Sequence, residues 1–447
     1  MALAVPGAAA VIGLTQPRRE TQADHMLAAS IGTGTSRSAK STGAIDLPQR
    51  ALGAESELAP LLDLGRAEVG ASGRYEVDLG DGRRAELTLD PTLQSATRKA
   101  MRDYQIPYAA AVVMSTDGRV LALVGESTLE PALSDADLTT RAWAPAASVF
   151  KLVTGAALLD AGVSADTQVC YHGGGSGIAE EHLRDDARRD RDCNSLAFGI
   201  GKSQNAIMGK LAARNLEPTA LAGLAEQLGW NQPLPFALPV TPSLARIPTE
   251  TGLAFARVAA GFWRTELSVL HGALLAETFA NGGVRMAPRL VERVVRTGQG
   301  PDGAGETVEL PIAPAPRRVL AEATAREVGR MMVGTTTFGT ARASFTAPGP
   351  AQTALLGYRV AGKTGSLSDV RTLPDGSQQT INYNWFVGFA PADNPRIAIA
   401  VLVGNQPVWR VKAHTVAKGL IARALADTLP GSIGGPELAA RDVDHTP

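Results

Sequence analysis

The chain reads as an α+β protein: an antiparallel sheet assembled from both ends of the stretch 109–428, covered by helices and carrying a helical insertion. Three observations predict this. Residues 109–114 and 120–124 are apolar runs joined across Thr116-Asp117-Gly118, a hairpin signal. Residues 385–390 and 397–403 form a second pair of runs, joined by the Pro-Ala-Asp-Asn-Pro turn at 391–395. Between the two pairs the pattern is mostly helical, to about residue 290. At 447 residues, 45% of them hydrophobic, the chain has enough material for one large domain with a sizeable core and an appendage.

The elements follow in order. Residues 1–14 are almost wholly apolar but contain Pro6 and are too short to span a bilayer. No Lys or Arg precedes them, so they read as the tail of an export or anchor segment that begins upstream of Met1. A Gly-, Thr-, Ser- and Ala-rich linker runs to residue 46. Residues 47–87 form a short extension with no assigned role, in which 74–79 alternate as a strand does. A short helix is expected over 91–101. Residues 148–160 are apolar on nearly every face and predict a buried central helix stopped at Gly162. The Gly- and Pro-rich stretch 297–316 reads as a surface excursion. A helix near 321–333, a strand at Tyr358-Arg359-Val360, a closing helix over 411–428 and a flexible tail from 431 complete the chain.

Composition removes several functions. A net charge of −1 gives no support to nucleic-acid binding. The six histidines and two cysteines make no metal-ligand spacing, so neither a metal nor any other cofactor is expected. Cys170 and Cys193 are compatible with two buried thiols or with a disulfide, the latter favoured if the chain is exported.

Three short signatures carry the chemistry: Ser148-Val149-Phe150-Lys151, Ser203-Gln204-Asn205 and Lys363-Thr364-Gly365. A Ser-x-x-Lys alone arises about once by accident in a chain of this length. The three in this order do not. Ser148 falls at the start of the buried helix, where backbone N–H groups and the helix dipole stabilise developing negative charge. Lys151 lies three residues on, on the same face, and burial should lower its pKa enough to make it a general base. Ser203 begins a further helix at 206–215 and could simply cap it; within the trio it reads as a proton relay, with Asn205 offering an amide to substrate. Lys363 supplies positive charge, Gly365 lets a ligand approach an edge strand, and the hydroxyls of Thr364 and Ser366 suit a carboxylate. The N–H groups of Ser148 and Ser366 are candidates for an oxyanion hole.

One rival motif overlaps the third signature. Gly357-Tyr358-Arg359-Val360-Ala361-Gly362-Lys363-Thr364 matches the phosphate-loop pattern of nucleotide hydrolases letter for letter. Such a loop must open a helix, whereas Gly365, Ser366, Ser368 and Asp369 come next with no helical period.

With these motifs the chain, from about residue 88 to 430, resembles the transpeptidase domain of penicillin-binding proteins, in the superfamily of serine β-lactamases and D,D-peptidases. Similar segments are Leu87-Thr88-Leu89-Asp90-Pro91-Thr92-Leu93-Gln94, Ala280-Asn281-Gly282-Gly283 with Pro288, Gly339-Thr340-Ala341, and Trp385-Phe386-Val387-Gly388-Phe389-Ala390-Pro391. The chain departs from the family pattern at Pro145-Ala146-Ala147 and at Ser268-Val269-Leu270. The resemblance implies a monofunctional D,D-transpeptidase that cross-links peptidoglycan stem peptides through an acyl-enzyme on Ser148 and is inhibited by β-lactams. It implies Lys151 as base, Ser203 as relay, and Asn205 with Lys363, Thr364, Gly365 and Ser366 as substrate ligands. It further implies an extracytoplasmic or periplasmic location, inner-membrane association and cell-wall synthesis proteins as partners. A D,D-carboxypeptidase, a class D-like β-lactamase and a β-lactam sensor share the same motifs.

Overall fold

Five strands pair in the order Ala361–Thr372, Gln378–Ala390, Ile397–Asn405, Tyr108–Ser115, Val120–Ser127, every neighbour antiparallel. The two ends of the predicted region therefore meet in one sheet, joined where Val401 lies opposite Ala111. The computed structural model describes residues 57–262, 264–296, 306–309 and 314–427. The expected anchor and linker before residue 47 and the tail from 431 lie outside the described residues.

The apolar runs are continuous because both faces of the sheet are covered. Alternate residues point to opposite sides. Ala110, Val112, Met114, Ala400 and Leu402 pack into one core, while Ala109, Ala111, Val113, Ile399 and Val401 pack into the other. The first core is closed by helix Val269–Ala280, buried along eleven of its residues. The second is closed by Pro91–Asp103 and Ala413–Asp427. Helix Pro91–Asp103 starts where the sequence indicates, with the Asp90 side chain accepting from Leu93 N–H and proline in its first turn.

The extension before residue 88 is paired with a later part of the chain. Strands Tyr75–Gly80 and Arg83–Leu87 enter a second five-stranded sheet with Val291–Arg296, and Leu87 pairs with Val291. Strand Glu306–Glu309 extends that sheet, so the stretch expected as a surface excursion contains regular structure.

Three other local expectations need correction. The central helix begins as a 3-10 turn, Ala147–Phe150, before the α-helix Lys151–Asp160. It ends as expected at Gly162, whose positive φ lets Val163 N–H reach back to Leu158 O. Tyr358-Arg359-Val360 precedes the strand rather than forming it. With Ala361 opposite Phe389, residue 359 would face Pro391, which has no N–H to give a ladder. Finally, helix Asn205–Asn215 is capped by the side chain of Gln204, not by Ser203, which sits at φ +57°.

Candidate active site

Lys363 is wholly buried within edge strand Ala361–Thr372, so the Lys-Thr-Gly signature lies in a strand and not at the mouth of a helix. This removes the phosphate-loop reading, whose anion site needs helical N–H groups.

The fold brings the other two signatures to this strand. Helix Lys151–Asp160 carries Lys151 into the first core, and the 3-10 turn before it presents Ser148 to a cleft of about 870 Å³. Ser203, Asn205, Thr364 and Ser366 line the same cleft. The turn is held from behind: the Trp385 indole donates to Pro145 O at 2.9 Å, and Ala146 N–H to Thr265 O at 2.9 Å. Gly261, at φ +85°, presses against it so closely that a Cβ would stand 2.2 Å from Ala147 O. On the opposite wall a Cβ at Gly365 would come within 3.3 Å of Ser148 N, so the edge strand runs directly past the serine.

Lys151 Nζ stands 2.6 Å from Ser148 Oγ, 2.7 Å from Asn205 Oδ1 and 2.7 Å from Ala260 O. Burial, reinforced by the Lys363 ammonium, pushes its pKa well below the ordinary lysine value. Lys363 donates to Ser203 Oγ and to Thr364 O, both at 2.8 Å, and burial lowers its pKa to about 7.

Asn205 lines the cleft and also has partners inside the protein. Its amide is engaged inside the protein, accepting from Lys151 and donating from Nδ2 to Gly175 O at 3.1 Å. Gly175 belongs to the loop between strands Gln168–Tyr171 and Asp192–Ser195, in which Cys170 and Cys193 face each other and are joined as a disulfide. The same loop is tied to helix Asn205–Asn215 by the buried Lys210, whose ammonium lies 2.7 Å from Asp190.

Sequence reasoning missed three contributors. Ala260 offers only a carbonyl, which has no side-chain signature. Thr340 bonds the Thr364 hydroxyl at 2.5 Å. Asn384 bonds the Ser366 hydroxyl at 2.8 Å, and an asparagine breaking the apolar rhythm of 383–390 was the signal that could have found it. The side chains lining the cleft include Lys202 and Lys412 and, among the described residues, no carboxylate.

A strand bearing Lys-Thr-Gly, set across a cleft from a Ser-x-x-Lys helix, defines the active-site-serine acyltransferases. The family model described as penicillin binding protein transpeptidase domain matches residues 109–427, and the chain belongs to that family. It is similar to the peptidoglycan D,D-transpeptidase PbpA of Mycobacterium tuberculosis, 28% identical over 355 residues that cover 72% of this chain and 68% of the relative. Stage V sporulation protein D of Bacillus subtilis is 22% identical over 366 residues, covering 78% of this chain and 54% of the relative. Among solved structures, the imipenem acyl-enzyme complex of penicillin-binding protein A from M. tuberculosis aligns with a TM-score of 0.59 at 25% identity. That alignment covers 76% of this chain and 79% of the other.

Proposed function

We propose that this chain is a serine D-Ala-D-Ala transpeptidase that cross-links peptidoglycan stem peptides, with Ser148 as the acylated residue and β-lactams as inhibitors. The observation that carries the assignment of roles is the set of contacts around Lys151. A neutral amine has two N–H bonds and one lone pair. Asn205 Oδ1 and Ala260 O can only accept, so they take the two N–H bonds and leave the lone pair for the Ser148 hydroxyl. The lowered pKa favours that neutral form.

Ser148 Oγ attacks the carbonyl of the penultimate D-alanine while its proton passes to Lys151. The N–H groups of Ser148 and Ser366 stabilise the oxyanion. The C–N bond to the terminal D-alanine breaks, and Ser203, linked to Lys363, gives its proton to the departing amine while taking up the one that Lys151 received from Ser148. An amine from a neighbouring stem peptide then attacks the ester, forming the new amide and freeing Ser148. Lys363, Thr364 and Ser366 hold the terminal carboxylate, in a cleft whose lining is basic.

Stem peptides and β-lactams are thus the partners; cell-wall synthesis proteins and the inner membrane remain proposed associations. The enzyme works outside the cytoplasm, which suits a disulfide. No helix among the described residues is long and apolar enough to cross a membrane.

Incubation with benzylpenicillin should add one penicilloyl mass, mapping to the peptide that contains Ser148. The Ser148→Ala variant should take up none; labelling that persists in that variant would overturn the assignment.

A further inference from the structure

We infer that Asn384 is a positioning residue that turns the Ser366 hydroxyl outward as a hydrogen-bond donor, and so tunes the cleft to ligands ending in a carboxylate. The inference rests on the acyl-transfer reading above and concerns a residue outside the three signatures.

Asn384 is 3% exposed and lies opposite Ser366 across the two adjoining strands. Its Oδ1 accepts from Ala413 N–H at 2.7 Å. A backbone N–H can only donate, so this contact fixes which way the amide faces. The NH2 group must then face the edge strand, where Nδ2 donates to Ser366 Oγ at 2.8 Å and approaches Gly365 O at 3.4 Å.

Ser366 Oγ is thereby occupied as an acceptor on its inner side. Its own proton has to point elsewhere, and Ser366 is exposed and lines the cleft together with Ser148. A donor held in that direction favours an anionic ligand end over a neutral one. Aspartate at 384 reverses the arrangement. An ionised carboxylate keeps the Ala413 contact but accepts the Ser366 proton, which turns the hydroxyl's lone pairs toward the ligand.

The test compares acylation of the full chain by benzylpenicillin and by its methyl ester, followed by intact mass. Wild-type protein should react faster with the free acid. Asn384→Asp should lose about tenfold of that preference through the acid rate alone, the scale of one hydrogen bond to a charged group. Lowering the pH enough to protonate the introduced carboxylate should restore the preference, because a carboxylic acid can again donate to Ser366. In a Ser366→Ala background the aspartate should change nothing further. If Asn384→Asp does not fold, Asn384→Ala, which frees the hydroxyl to rotate, should show a partial loss. Equal slowing toward both ligands, or an unchanged preference, would overturn the inference alone. Wild-type protein inert to both ligands would instead overturn the acyl-transfer reading, and the inference with it.

Discussion

The chemistry of this site depends on the protonation state of one amine. Lys151 is enclosed, with no carboxylate among its bonded partners, and both causes acting on it favour the neutral form. Residues in sparsely populated backbone conformations surround it: Ala147 at φ +49° precedes the nucleophile and Ser203 at φ +57° receives Lys363. Positive φ in non-glycine residues costs of order 1–3 kcal/mol each, and here the surrounding contacts hold it in place. Replacing Lys151 by methionine keeps the stem and removes the base. Acylation by benzylpenicillin should fall by about 10²–10⁴-fold, the usual contribution of a positioned base. A folded Lys151→Met protein acylated at the wild-type rate would show that the proton leaves Ser148 by another route.

At the scale of elements, a loop closed by a disulfide and an ion pair lines the cleft with Gly175 and Ser176 and bonds Asn205 through the Gly175 carbonyl. Cys170 and Cys193 are separated by 23 residues, and closing a loop of that length stabilises a fold by about 3 kcal/mol in the chain-entropy account. Replacing both cysteines by serine should lower the melting temperature and loosen Gly175. Acylation should then slow by about two- to tenfold, because one hydrogen bond to Asn205 is lost. Lower stability with unchanged acylation would confine the loop to a structural role. The legible parts of the fold were those with strong local patterns. Residues 109–124 and 385–403 declare themselves through apolar runs, and Ser148 and Lys151 meet because they lie three apart across the 3-10 turn that leads into the central helix. The strand start at Ala361 was hidden because pairing ends at a proline thirty residues away in sequence. The hairpin around the disulfide was hidden because its strands, Gln168–Tyr171 and Asp192–Ser195, are only four residues each and the second is polar. The Ala260 carbonyl enters through a tertiary contact that no spacing rule reports, while the Asn384 amide left only a break in an apolar run as its trace.

Across the whole molecule, burying ionisable groups makes stability a sum of opposed pH dependences. Burial lowers His271 and His414 to about 4, so the unfolded chain binds more protons between about 4 and 6.5 and stability rises with pH there. Burial likewise lowers Lys363 to about 7, which adds a rise between 7 and the ordinary lysine value of 10.5. Glu277 acts in the other direction. It is fully buried on helix Val269–Ala280, Asn281 donates to it, and burial raises its pKa to about 8 from an ordinary 4.5. The folded state keeps this proton after the unfolded chain has released it. The stabilisation is complete below 4.5 and is lost as pH rises through 8, at a rate of up to about 1.4 kcal/mol per pH unit. Glutamine at 277 keeps an acceptor for Asn281 and cannot ionise. The unfolding free energy of wild type minus that of Glu277→Gln, measured by urea titration, should therefore decline between pH 5 and 8 and level off at either side. His271, His414 and Lys363 are present in both proteins and cancel in the difference. A difference that stays constant across that interval would mean that Glu277 is ionised in the folded enzyme, paired with a cation such as Arg285, whose field already opposes the raised value.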